Sequence, residues 1–581
     1  MKRGFLFIAC LWSGLAMMAE PFYVRINGTK DVAAVNTGVK DFQERVQYAA
    51  SNVKLAQGDK LTCYDGGSGT AWNIGVIDPY GAYANFTTGS DALTCNVAGT
   101  YNVYIKMKMN DDMWYIESSN GDTPTPVTPK DYDTAVPSES EDIMLQGFYW
   151  DSYQDKGYGD TRWTTLTGLV NEIGNYFTLI WLPPSAESNG GLGYIAKCYS
   201  NQNCSLGSQS ELSSLINALH SKGVRVLADV VINHCGNRSS WCDFNSVDFG
   251  KYGKFSPQSS WVTSDDEGGC NSSGNKDDGQ HEANYGAARD WDHKNSNVQN
   301  MCKAYTQWLK NVMLYDGFRY DYCGGFHTSH IDAYNKAAKP YISVMEYWYG
   351  DASHLKNRID DAANNTLTFD FAMKYSTFRD GIYKKSYTKC KNAGLRGKGY
   401  SKYAVTFIDN HDTFNRQNGN EPNEKGDGSS INDKSLMMRC NTYLLSMPGV
   451  PCVFWPHWVK YKTEIKKMIE ARRVAGIHSE SVVEEEAGSG YYQAKVYGKR
   501  GVIQLMLGTA ASDEQPEGYQ VAVKGTDYAM YYKEGAEGID KISPQNSDVR
   551  AQKFLQDGKL YIRCGEQIYD VTGNKVTIEK Q

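Results

Sequence analysis

From Ile143 to Trp455 the chain repeats one pattern, a short apolar run followed by a stretch of helical periodicity. The apolar runs are IMLQGFYW (143–150), TLIWLPP (178–184), VRVLADVV (224–231), GFRYD (317–321), ISVMEYW (342–348), TLTFDF (366–371), AVTFID (404–409) and VPCVFW (450–455). Runs that are apolar at nearly every position belong to strands buried on both faces, as in a parallel sheet covered by helices. The stretches between them include Ser208–Lys222, which opens with the capping box Ser208-x-x-Glu211, Val298–Met313 and Lys434–Ser446. Eight such units predict a (β/α)8 TIM barrel over residues 143–476. One long insertion, about 235–292, separates the third strand from its helix and is rich in Gly, Asn, Ser and Asp.

The flanks read differently. With 581 residues the chain is too long for one core. Residues 20–117 alternate in period two, as in Tyr101, Val103, Ile105 and Met107, which predicts an antiparallel β-sandwich. Residues 118–142 hold TPTPVTP and runs of Ser, Glu and Asp, the composition of a linker. Period-two alternation returns in YQAKVYGKRGVIQLML, predicting an antiparallel β domain over 477–533, and 534–581 form a tail with two short strand candidates around Gly turns. A net charge of −7 offers no basic stripe, so nucleic acid is not an expected partner.

Lys2 and Arg3 precede an apolar stretch from Phe5 to about Met18, and Ala19 suits cleavage, so residues 1–19 read as a secretory signal peptide. That predicts a secreted protein with no membrane span after signal removal, taken as a monomer by default. Of the 14 cysteines, Cys10 lies in the signal, which leaves an odd number. Cys235, Cys242 and Cys270 are candidates for pairing in the insertion, whereas Cys323, Cys440 and Cys452 lie in apolar runs that favour buried free thiols.

Three carboxylates stand at the ends of predicted barrel strands, where such barrels carry their active sites: Asp321, Glu346 and Asp412. Cleavage of a glycosidic bond needs a carboxylate at the anomeric carbon and a carboxylic acid for the leaving oxygen. Arg319 shares a strand face with Asp321 and is expected to keep it ionised. Two carboxylates in one pocket repel, which favours a protonated Glu346.

The segments DVVINH (229–234), GFRYD, VMEYW and FIDNHD (407–412), in this order, resemble the α-amylase family, glycoside hydrolase family 13. QGFYWD, GSQSELSSLINALHSKGVRVLADVVINH, DKSLMMRCNTYLLSMPGVPCVFW and KGTDYAMYYK are similar to its plant and archaeal type, from about Ile143 to Lys533. The resemblance implies endo-hydrolysis of α-1,4-glucosidic bonds in starch or glycogen with retained stereochemistry. Asp321 would be the nucleophile and Glu346 the acid and then base, with carboxyls about 5–5.5 Å apart. Asp412, His234 and His411 would hold sugar hydroxyls, and Tyr194 would stack on the ring. It also implies Ca2+, a hard ion on oxygen ligands, held by Asn233, Asp290 and the carbonyl of Gly325.

The chain departs from that pattern at Ala196, Ser200 and Gly324, and it lacks aspartates at Gln280 and Asn284, for which NKDDG (275–279) or Glu282 could substitute. The N-terminal domain, with Trp72, Tyr80, Tyr83 and Trp114, reads either as a starch-binding module or as a structural domain with core aromatics. The tail resembles short terminal segments of exported Bacteroidetes proteins that act in sorting or surface attachment. A glycosyl-transferring or maltooligosaccharide-forming relative is the alternative enzyme, and a glucan-binding protein with an inactive barrel is the alternative from another class.

Overall fold

The computed structural model describes residues 22–535 apart from 41–45, 66–85, 89–91, 97, 108–112, 119–128, 155–156, 266–268, 282–284, 415–424, 427–428 and 513. It also describes the strand segments 551–556, 559–564, 567–570 and 575–576. The signal segment, Trp72, Tyr80, Tyr83 and Glu282 lie outside the described residues, as does the side chain of Trp114.

The eight predicted barrel strands all form, as shorter cores of the apolar runs: Met144–Gln146, Leu179–Trp181, Arg225–Val230, Gly317–Tyr320, Ile342–Met345, Leu367–Phe369, Ala404–Phe407 and Val450–Phe454. They pair in parallel in chain order, and the eighth closes on the first. Trp181, Leu227, Phe318, Val344 and Phe407 are among the fully buried side chains of the common core. The three predicted helices run over Gln209–Ser221, Ser296–Asn311 and Lys434–Ser446. The first has the capping box anticipated: Ser208 Oγ accepts from Glu211 N, and the Glu211 carboxylate reaches back to Ser208 N. Asn295 and Asp433 cap the other two.

The N-terminal strands form one antiparallel sheet in the order Phe86–Thr88, Leu93–Cys95, Lys60–Asp65, Phe22–Ile26, Lys30–Lys40, Val46–Leu55, Gly99–Met107, Met113–Ser118. The long strand Lys30–Lys40 pairs with Phe22–Ile26 along its first half and with Val46–Leu55 along its second. Sharing that strand lets the two halves of the sheet bury a single core around Val24, Leu61, Cys63, Val103 and Ile105. Where a sandwich was expected, the strands make one continuous eight-stranded antiparallel sheet.

The C-terminal domain is a five-stranded antiparallel sheet from Val482 to Glu534. Its inner side chains, Tyr492, Ala494, Val496, Ile503 and Leu505, join the barrel's core cluster. Among the described residues the tail carries four short antiparallel strands, where two were expected.

The linker expectation needs correction for residues 129–142, which form an anchored strap. Ala135 O accepts from Ser343 N at 3.0 Å, and Lys310, buried under the strap, pairs with Asp131 at 2.5 Å. Further on, Ser140 O accepts from Ser479 N at 2.8 Å and Glu141 pairs with Arg500 at 2.6 Å. Polar composition misled here because the strap's backbone carbonyls and acidic side chains find their partners on distant elements, a pairing that has no periodicity in sequence.

In the insertion, Cys242 and Cys270 form a disulfide, while Cys235 is a buried thiol, as are Cys323, Cys440 and Cys452. The bond closes a loop of sequence separation 28, which in the chain-entropy picture contributes about 3–4 kcal/mol. Cys242→Ser is therefore expected to lower the unfolding midpoint, and reductant should lower the wild type by a similar amount. Thermal melts of both proteins, with and without dithiothreitol, check this; equal midpoints in all four melts would refute it.

Candidate active site

Strand register assembles the charged cluster. Asp229, Arg319 and Val344 are direct neighbours on strands three, four and five. Arg319 points into the barrel, and Asp321, two residues on, stands above it on the same face. Glu346 follows Val344 by the same step, its N–H bonded to Tyr320 O at 2.9 Å. The Arg319 guanidinium thus meets three carboxylates. Nη1 donates to Asp229 Oδ1 at 2.8 Å and to Asp321 Oδ1 at 2.5 Å. Nη2 lies 2.6 Å from Glu346 Oε1, an ion pair without the alignment of a directed hydrogen bond. All of these groups are buried, Arg319 being 1% exposed.

One cation cannot compensate three buried anions. Burial raises the Asp321 carboxyl, Arg319 pulls it back, and Asp412 adds repulsion; the net direction is upward. Burial likewise raises Glu346, again opposed by Arg319 and reinforced by Asp321. Asp229 is pushed up to about 7, by burial first. Arg319 thus favours the ionised form of Asp321, as its position suggests, against the burial and the Asp412 charge that push the other way. The cluster titrates as a unit and retains protons at pH values where exposed carboxylates have lost theirs.

Tyr322, directly after Asp321, adopts the left-handed conformation at φ 49°. For a residue with a Cβ this costs on the order of 1–3 kcal/mol. The turn aims Tyr322 N at Glu346 Oε2, 3.2 Å away.

An aromatic wall borders the cluster. The rings of Trp150, Tyr194 and His411 lie nearly parallel, with Tyr194 and His411 centroids 5.0 Å apart. Tyr194 OH donates to Asp229 Oδ2 at 2.8 Å, and Trp181 Nε1 donates to the same oxygen at 3.0 Å. Gly193 precedes Tyr194 at φ +112°, and a Cβ there would sit 2.7 Å from Pro184 O, so only glycine allows this approach. Gln146 Nε2 donates to His411 Nδ1 at 3.1 Å, which leaves His411 Nε2 facing Asp412 Oδ2 at 3.1 Å. Asp412 is the open member of the set, its side chain 29% exposed.

His234 behaves differently from the expectation that it donates to a sugar. Its Nε2 bonds Tyr194 O at 2.8 Å, its Nδ1 lies 3.2 Å from Asn233 Nδ2, and Tyr285 stacks on its face at 4.1 Å. Burial holds its pKa down at about 4, so it is a neutral prop for Tyr194. Motif spacing cannot reveal that a neighbouring carbonyl already uses the N–H.

The structure brings Asp321, Glu346, Asp412, Arg319, His411 and Tyr194 to one end of the barrel. Asp229, Gln146 and Trp150 belong to the same site and carried no assigned role in the sequence. Asp229 could have been noticed, since it opens DVVINH on the face that meets Arg319.

Asn233 and Asp290, the residues expected to hold calcium, lie together: Asn233 Nδ2 donates to Asp290 Oδ1 at 2.9 Å, and Tyr285 N donates to Asp290 Oδ2 at 2.8 Å. Asn233 Oδ1 is buried without a hydrogen-bond partner. A Cβ on Gly325 would sit 2.3 Å from that oxygen, so glycine is required. Hard oxygen donors with an orphaned buried amide oxygen fit a calcium-type ion. Gln280 is engaged with Thr328 and Asp361, and Asp278 with His330. Among the described residues no group of three or more His, Cys, Asp or Glu side chains is clustered to hold a metal.

Comparison with known proteins agrees with this geometry. The family model "Alpha amylase, catalytic domain" matches residues 149–363. The chain is 29% identical to "Alpha-amylase 3, chloroplastic" of Arabidopsis thaliana over 417 residues, 67% of this chain but only 44% of that relative's length. It is 32% identical to the "Alpha-amylase type B isozyme" of Hordeum vulgare over 134 residues, which cover 22% of this chain and 80% of the relative. A crystal structure of an Anoxybacillus α-amylase superposes with a TM-score of 0.50 at 15% identity, over 69% of this chain and 99% of that one, a likeness of fold. With these matches and the closed barrel, the chain belongs to the α-amylase family of glycoside hydrolases.

Proposed function

We propose that this protein hydrolyses α-1,4-glucosidic bonds within starch- or glycogen-type glucans, with retention, by double displacement. The observation that carries this reading is the grip of Arg319 on both Asp321 and Glu346, which holds two buried carboxyls side by side beneath a more open third, Asp412. In the first step an Asp321 oxygen attacks the anomeric carbon as Glu346 gives its proton to the departing glycosidic oxygen. In the second, Glu346 takes a proton from water, the oxygen attacks the same carbon, and Asp321 leaves as a carboxylate. Asp412 and His411 hold hydroxyls of the sugar at the cleavage site, and Tyr194 stacks on its ring. The raised Glu346 carboxyl supports the acid role, because an acid must hold its proton until the transition state.

Calcium is proposed at Asn233, Asp290 and the Gly325 carbonyl, where it would tie the insertion to the barrel and supply charge stabilisation to those oxygens. Export is proposed from the N-terminal signal pattern and fits the Cys242–Cys270 disulfide, a bond that persists in oxidising surroundings.

Asp321→Asn keeps the shape and removes the attacking charge. Its release of reducing sugar from soluble starch is expected to fall by about 10³-fold or more. A variant with a tenth of the wild-type rate would rule out Asp321 as the nucleophile. The pH profile should be displaced as well. The nucleophile must be ionised and the acid protonated, and both carboxyls are raised, so both limbs of kcat/KM should lie above the values 3.8 and 4.5 of ordinary Asp and Glu. An acid limb below pH 3.8 would contradict the buried cluster. For the metal, thermal melts after chelation and after adding back calcium are the measurement. Binding at a hundredfold excess over Kd stabilises by about 2.7 kcal/mol. A midpoint indifferent to chelator and calcium would remove the ion from the proposal.

A further inference from the structure

Lys374 is fully buried and opens a nine-residue π-helical segment, Lys374–Ile382, just after the sixth barrel strand. Such segments are rare and recur at functional sites. Lys374 Nζ meets Asp409 Oδ1 at 2.7 Å, and the other oxygen of Asp409 lies 3.3 Å from His457 Nε2. These residues follow strands six, seven and eight, so one buried ion pair and its histidine join the mouths of three consecutive strands. Burial works against the Asp409 charge, but Lys374 and His457 together outweigh it and hold the carboxyl well below the usual range.

What this group supports is the catalytic rim. Asn410, next to Asp409, folds the turn that presents Asp412, because its Oδ1 accepts from Asp412 N at 3.1 Å and from Thr413 N at 2.8 Å. On the other side of Lys374, Tyr375 OH accepts from Trp348 Nε1 at 2.6 Å, and Phe371 stacks on Trp348 at 4.9 Å. Trp348 lies two residues beyond Glu346.

We propose that Lys374 is a positioning residue for the hydrolysis. Through Asp409 it fixes the root of the Asp412 turn, and through Tyr375 it steadies the strand end that carries Glu346. The inference rests on the functional reading above, in which Glu346 and Asp412 serve the reaction.

A buried ion pair can equally be a static part of the core. Replacing both partners by neutral groups then costs less than replacing one, because neither member of the pair is left charged without the other. The double variant Lys374→Met/Asp409→Asn separates the two roles. If Lys374 positions the rim, this variant keeps a wild-type-like unfolding midpoint while kcat on soluble starch falls by about a hundredfold, with KM changed far less. Wild-type kcat in the folded double variant overturns the proposal. Lys374→Gln/Asp409→Asn, which retains a hydrogen-bonding pair, is the second variant, with the same overturning result. If neither double variant folds, the pair is a folding requirement and the positioning role is also rejected. Wild-type protein and Asp321→Asn run alongside as controls. A wild type that does not cleave starch locates the failure in the functional reading, and this inference falls with it.

Discussion

The guanidinium of Arg319 lies against the barrel mouth with Asp229 on the strand before it, Asp321 two residues ahead and Glu346 on the strand after it. Parallel strands in register bring these groups within 3 Å, and the surrounding apolar wall keeps water from screening them. Because one positive charge faces three acids, ionising all of them is unfavourable, and the cluster holds on to protons. The neutral carboxylic acid beside an ionised one that the proposed double displacement needs would follow from that imbalance without any special group being added.

The other half of the barrel mouth is balanced differently. There Lys374 meets Asp409, and His457 lies at the second oxygen of the same carboxylate. Strands three to five thus end in a cluster where Arg319 meets three carboxyls, and strands six to eight end in a buried group where a lysine and a histidine meet the carboxylate of Asp409. On the proposed reading, the first group serves the chemistry and the second the geometry of one barrel mouth.

Between the barrel and the insertion the same economy of contacts recurs. Asn233 reaches Asp290, Asp290 holds the backbone of Tyr285, Tyr285 covers His234, and His234 carries the carbonyl of Tyr194. Tyr194 then donates to Asp229, in the Arg319 cluster. The insertion therefore reaches the charged centre through an unbroken line of contacts, and an ion at Asn233 and Asp290 would act at its origin.

The sequence alone determined the barrel, because eight apolar runs separated by amphipathic stretches have few other ways to bury both strand faces. It also carried the capping box at Ser208 and the positions of Asp321, Glu346 and Asp412, since strand ends can be recognised from local pattern. The tertiary structure decided everything that depends on who meets whom. Asp229 became part of the centre through strand register, and His234 became a prop because a backbone carbonyl lies within its reach. The polar stretch 129–142 became a strap because its partners, Ser343, Lys310 and Ser479, come from distant parts of the chain. Hydrogen bonds and ion pairs between residues hundreds of positions apart leave no local periodicity, so no window on the sequence can display them.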